Sequence, residues 1–155
     1  MVATATGGPS RVGPAILGSD ASGGPLIRLG RDEPLIRMDG PEVYKRAVAL
    51  MTRVTHEAVA AAGLELADID LFVYHQANAR ILRAVGQRLG LDPGRVVDYV
   101  SRYANTSAAS LPIALATAAA EGRLRPGHRV LLAAFGAGLV WGGVVVEWGS
   151  AEKSP

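Results

Sequence analysis

The hydrophobic pattern along the chain sharpens at Pro41. Before it, residues 1–13 are small and Gly/Pro-rich and read as a flexible lead-in. "AILGS" and "PLIRL" read as short strands either side of the turn-rich "DASGG". From Asp39 the spacing predicts a helix: Asp39 caps, Pro41 sits early, Glu42 follows the cap by three, and Val43, Ala47, Leu50, Met51, Val54, Ala58 and Ala61 recur on one face. Gly63 ends it. "IDLFVYH" reads as a buried strand. "NARILRAVGQRLG" is a second helix, with Ile81, Leu82, Val85 and Leu89 on one side and Gly90 as its stop. "GRVVDYV" reads as a further strand. "NTSAASLPIALATAAAEG" opens on cap-forming residues and continues as an Ala-rich helix that Pro112 starts or bends. "HRVLLAAFG" and "GLVWGGVVVEW" are the last two strands, and residues 150–155 form a polar tail. Strands alternating with helices imply an α/β fold whose mostly parallel sheet is covered on both faces.

Composition narrows this. At 155 residues, 49% hydrophobic and 19% charged, the chain is one domain with material for a core. A net charge of +2 is too small for nucleic-acid binding by field alone. The absence of Cys excludes disulfides, thiolate metal sites and a cysteine nucleophile in this chain, and fits a reducing, cytoplasmic setting. The opening "MVATATGGPSRVGP" lacks the pattern of a secretory signal. The uncharged run Val130 to Val146 approaches membrane-span length, but its four glycines and β-branched end suit two buried strands around a tight turn.

Functional groups of open α/β sheets collect at the carboxyl ends of strands. His75 sits at such an end, and Asn105 follows thirty residues later, the length of one strand–helix–strand unit. An imidazole N–H and an amide NH₂ aimed at one point would form an oxyanion hole. Spacing alone leaves open the alternative, a histidine that bonds a neighbouring carbonyl. His56 and His128 have no metal-ligand set or orienting group nearby and read as structural or solvated. The G-x-G of "FGAGLVWGG" lacks the rest of a dinucleotide fingerprint and reads as a strand-to-strand turn. Arg80, Arg83 and Arg88, with Lys45 and Arg46, are either a solvated face or a docking patch for an acidic, phosphate-bearing partner.

Four segments in order, "MDGPEVYKRAV", "VYHQANARI", "RYANTSAASLPIAL" and "RPGHRVLLAAFGAGLVWGGVVVEW", resemble the C-terminal half of β-ketoacyl-acyl-carrier-protein synthase III, a thiolase-fold condensing enzyme. The resemblance runs from about Val12 to Trp148. It implies one half of a thiolase-like fold, spanning residues 14–149, with a mostly parallel or mixed five-stranded sheet and helices on both faces. It also implies that His75 and Asn105 are two members of a Cys-His-Asn triad in an acyltransferase of fatty-acid or polyketide synthesis. There an acyl group passes from coenzyme A to the Cys, a malonyl thioester loses CO₂, and the enolate attacks the acyl-enzyme. By the same resemblance Asn78 bonds the pantetheine arm, Gly40 lets backbone approach it, and Phe135 and Gly136 line the wall. Lys45, Arg80 and Arg88 meet the acyl carrier protein. No cofactor is implied, since coenzyme A and phosphopantetheine thioesters are substrates.

Two departures follow. Ala104 stands where the family usually has Gly, so a positive φ there would strain the loop. The family's nucleophilic Cys belongs to an N-terminal half that this sequence does not contain. The two halves of the thiolase fold cover each other, so the chain is expected to expose a large apolar face, to need a Cys-bearing partner, and to be inactive without it. A non-catalytic carrier-binding module and a truncated fragment are the alternatives.

Overall fold

The structure, a computed structural model, describes residues 10–32 and 34–149. Residues 1–9 of the expected lead-in and the tail 150–155 lie outside the described residues. The rest of that lead-in is not loose: Arg11 and Val12 pair with Glu147 and Val146, and the Gly13 N–H donates to the Val145 carbonyl at 2.9 Å. The strands are β1 (Arg11–Val12), β2 (Ile16–Ser19), β3 (Ile27–Arg28), β4 (Arg37–Met38), β5 (Leu71–Tyr74), β6 (His128–Gly136) and β7 (Val140–Trp148). The helices are α1 (Gly40–Ala61), α2 (Ala79–Arg88), the one-turn α3 (Val100–Tyr103) and α4 (Ser110–Ala120).

β5, β6, β7, β1 and β2 form a mixed five-stranded sheet, in which β5 and β6 run parallel and β6–β7, β1–β7 and β2–β7 are antiparallel. The alternation of strand and helix suggests more parallel pairing than exists, because the two longest strands are joined directly as a hairpin. Its register runs from His128 opposite Trp148 to Gly136 opposite Val140. The uncharged run is therefore two strands, and no described helix is long and apolar enough to cross a membrane.

Alternate positions of the strands feed two cores, as a period of two requires. Phe72, Tyr74, Leu131, Ala133 and Val145 pack with α1 and α2, whereas Leu71, Val73 and Val130 pack with α4. α1 begins where its cap predicts, with Asp39 Oδ1 accepting the Glu42 N–H at 3.2 Å. Ala61, placed by spacing on its apolar face, is exposed, and Val48, Thr55 and Val59 are buried instead. The helix lies close to the hairpin at Gly143, where a Cβ would stand 2.9 Å from Val54 Cγ2.

Three expectations fail locally. "PLIRL" contributes only β3, which pairs with β4 in a separate two-stranded sheet, because Pro25 and Leu26 belong to a 3₁₀ turn. "GRVVDYV" is not a strand: it is a 3₁₀ turn at Pro93–Arg95, one parallel bridge from Val96 to Phe72, and then α3. The Gln76 amide takes the Val97 carbonyl at 3.1 Å and the Tyr99 N–H at 2.7 Å, backbone groups a strand would give to its neighbour. The Ala-rich helix starts at Ser110 rather than after Asn105, and no side chain caps it. Pro112 occupies its first turn, where a backbone N–H has no intrahelical acceptor to lose.

Candidate active site

β5 ends at Tyr74, and its parallel ladder with β6 continues one step, the His75 N–H donating to the Ala133 carbonyl at 2.8 Å. This fixes the imidazole at the carboxyl end of the sheet. Behind it, Gln76 is 3% exposed, and its side-chain amide donates to the Tyr74 and Val97 carbonyls. Asn78 then caps α2, its Oδ1 accepting the Arg80 N–H at 2.8 Å.

Asn105 arrives from α3. The turn between them is made by Ala104, which has φ 55° and ψ −162° and donates its N–H to the Val100 carbonyl. That combination is close to a region occupied essentially by glycine, so the strain expected at this alanine is present. Asn105 Oδ1 accepts the Ser107 N–H at 2.9 Å, which leaves the amide NH₂ without a partner among the described residues.

His75, Asn105, Asn78, Gly40, Phe135, Gly136, Lys45 and Arg80 all line one open cleft of about 1650 Å³. Arg88 does not: it lies eight residues beyond Arg80 at the exposed end of α2, about 12 Å along the axis. Of the other basic residues, Arg46 is tied to Glu42 at 3.0 Å and Asp20 at 3.4 Å, and Lys45 lies 3.9 Å from Glu42. His56 is exposed and His128 is only half-buried, and the described residues contain no cluster suited to a metal ion. Leu139 at the hairpin turn exchanges backbone hydrogen bonds with Asp20, both 2.8 Å, so the wall at Phe135 and Gly136 is pinned to the end of β2.

The His75 ring meets Phe135 edge-to-face at 6.0 Å between centroids, and its Nδ1 stands 2.6 Å from Ser110 Oγ. Burial lowers its pKa below the ordinary histidine value of 6.5, so the ring is neutral near pH 7. Its Nε2 has no partner among the described residues. The cleft therefore offers an imidazole and a primary amide with unengaged nitrogens, two groups able to stabilise a developing oxyanion. Spacing brought His75 and Asn105 together but missed Gln76 and Ser110. The signal for both was a polar residue inside an otherwise apolar or Ala-rich run.

The cleft's remaining wall is apolar and bare. Leu17, Ile36, Met38 and Val140 line it with exposures of 81%, 66%, 56% and 46%.

A mixed sheet with helices on both faces, a strand-end histidine and an uncovered apolar wall describe half of a thiolase-like condensing fold. Residues 59–148 match the family of the 3-oxoacyl-[acyl-carrier-protein (ACP)] synthase III C terminal, and the chain belongs to that family. It is 50% identical over 147 residues to beta-ketoacyl-[acyl-carrier-protein] synthase III 2 of Streptomyces coelicolor, covering 95% of this chain and 44% of that protein. The crystal structure of beta-ketoacyl-[acyl carrier protein] synthase III from Thermus thermophilus superposes with a TM-score of 0.86 at 44% identity, covering 90% of this chain and 47% of that one. The priming beta-ketosynthase of the R1128 polyketide pathway gives 0.84 at 32% identity, covering 92% and 46%. The chain thus spans under half the length of these relatives.

Proposed function

We propose that the chain is the C-terminal half, as subunit or fragment, of a synthase III-type acyltransferase, with a half-domain that takes in residues 14–149 and the preceding β1 of the same sheet. A Cys-bearing N-terminal half supplies the nucleophile, and the active enzyme requires it. The acyl group moves from coenzyme A to that Cys, with release of the free thiol. A malonyl thioester on the acyl carrier protein loses CO₂, and the C–C bonding pair becomes an enolate whose carbon attacks the acyl-enzyme and expels the Cys thiolate. His75 and Asn105 donate hydrogen bonds to the malonyl thioester oxygen as charge builds on it. Asn78, Gly40, Phe135 and Gly136 hold the pantetheine arm, and Lys45, Arg80 and Arg88 meet the acidic carrier. These are side-chain and thioester reactions that call for no cofactor, in a cytoplasmic setting.

The observation that carries this reading is the convergence of His75, Asn105 and Asn78 on one cleft whose remaining wall is apolar and exposed. That wall, with relatives of which the chain covers under half, supports an N-terminal half as its occupant. Native mass spectrometry of the chain purified from its own cell extract should find a Cys-containing polypeptide of similar size travelling with it. In the reconstituted pair His75→Ala should slow decarboxylation of the malonyl thioester by about 10²–10³-fold; an unchanged rate refutes the assignment. A second reading, a non-catalytic carrier-binding module, draws on the absence of any Cys in the chain. Carrier binding without condensation beside a Cys-bearing half would favour it.

A further inference from the structure

Ser110 opens α4, is 2% exposed, and holds two polar neighbours. Its Oγ is 2.6 Å from His75 Nδ1 and 3.2 Å from the backbone nitrogen of Gln76. A backbone N–H only donates, so the Gln76 amide occupies one lone pair of the hydroxyl oxygen. Gln76 is not free to turn away, since its buried side chain is held by the Tyr74 and Val97 carbonyls and the Tyr99 N–H. The hydroxyl proton still needs an acceptor, as buried polar hydrogens nearly always have one. Among the described residues no oxygen accepts it, and Nδ1 is the acceptor within reach. A ring nitrogen accepts only when it carries no proton.

We infer that Ser110 is a positioning residue: by donating to His75 Nδ1 it holds the neutral ring in the tautomer whose proton sits on Nε2, the nitrogen left free for the cleft. The inference rests on the reading of His75 as an oxyanion donor, because only an Nε2–H can serve a thioester oxygen there. A hydroxyl does this without adding charge, where a carboxylate in the same place would favour the imidazolium. The donor is thereby preset before substrate arrives.

The test is two-bond ¹H–¹⁵N correlation on the full chain with ¹⁵N-labelled histidine, His75 being assigned by its loss in His75→Gln. The expected spectrum shows His75 with its proton on Nε2 and a hydrogen-bonded Nδ1. In Ser110→Ala the Nδ1 resonance moves to the position of an unbonded nitrogen, and Ser110→Thr restores it. A proton on Nδ1 in the unaltered chain, or an Nδ1 resonance indifferent to Ser110→Ala, overturns the inference. In the pair with the Cys-bearing half, Ser110→Ala should lower kcat for malonyl decarboxylation about tenfold with KM unchanged. An unchanged kcat, beside a His75→Ala variant that loses activity, also overturns it. The spectra judge Ser110 and the His75→Ala rate judges the function, so either can fail alone.

Discussion

Replacing Ala104 by glycine should stabilise this protein, although glycine substitution usually does the reverse. At φ 55° and ψ −162° the alanine Cβ is held against its own backbone, which costs of order 1–3 kcal/mol. Glycine removes that cost but frees the unfolded chain, an opposing effect of about 0.4–1 kcal/mol. The net gain is about 1–2 kcal/mol, which for a chain of this length raises Tm by about 2–8 °C. The measurement is thermal and urea unfolding of Ala104→Gly beside Ala49→Gly. Ala49 is an exposed residue in the interior of α1, where glycine should cost about 1 kcal/mol. Opposite signs from the same chemical change isolate the backbone conformation as the cause. If Ala104→Gly lowers stability as Ala49→Gly does, the strained turn does not exist, and Asn105 is delivered to the cleft by another backbone path.

Burial depresses the pKa of His75, so between the folded value and about 6.5 the unfolded chain binds the extra proton. The associated stability is fully present above about pH 6.5 and is lost as pH falls through the folded value; urea midpoints of His75→Gln should lack this part of the acid slope. Gln76→Met keeps the volume but strips partners from the Tyr74 and Val97 carbonyls and the Tyr99 N–H, and should cost about 2–5 kcal/mol in urea unfolding; a loss below 0.5 kcal/mol would show that water replaces the amide. Leu17→Asp, at an 81% exposed position, should leave stability within about 0.5 kcal/mol but abolish copurification with the Cys-bearing half. Retained copurification would move the interface off the cleft wall.

What the sequence disclosed follows the range of the forces involved. α1 was legible because its cap, early proline and apolar spacing all lie within the helix itself. The β6–β7 hairpin was legible because two β-branched and aromatic runs flank a short glycine turn. Val96 and Val97 read as a strand for the same local reason, yet their segment is claimed by Gln76, 21 residues before Val97, and by Arg123, whose guanidinium reaches the Gly94 carbonyl at 3.1 Å. Nothing near residue 96 announces those partners. His75 and Asn105 came together because topology puts strand ends on one edge, although Asn105 arrives through a helical turn rather than a strand. Ser110 was hidden in its Ala-rich helix, where a small polar residue is indistinguishable from packing until the ring behind it is seen.

On the proposed function, the bare wall also sets the dielectric in which His75 and Asn105 act as donors. Asn105 is exposed, so in the isolated chain any charge placed before it is stabilised mainly by water, and an amide N–H adds little. Covering that wall removes the water and lowers the local dielectric from about 80 toward about 20, which multiplies the same charge–dipole attraction roughly fourfold without moving an atom of the donors. The two halves of such a site need not change conformation to switch it on. Assembly itself would act as the activator, and donor strength would follow the fraction of chains with the wall covered.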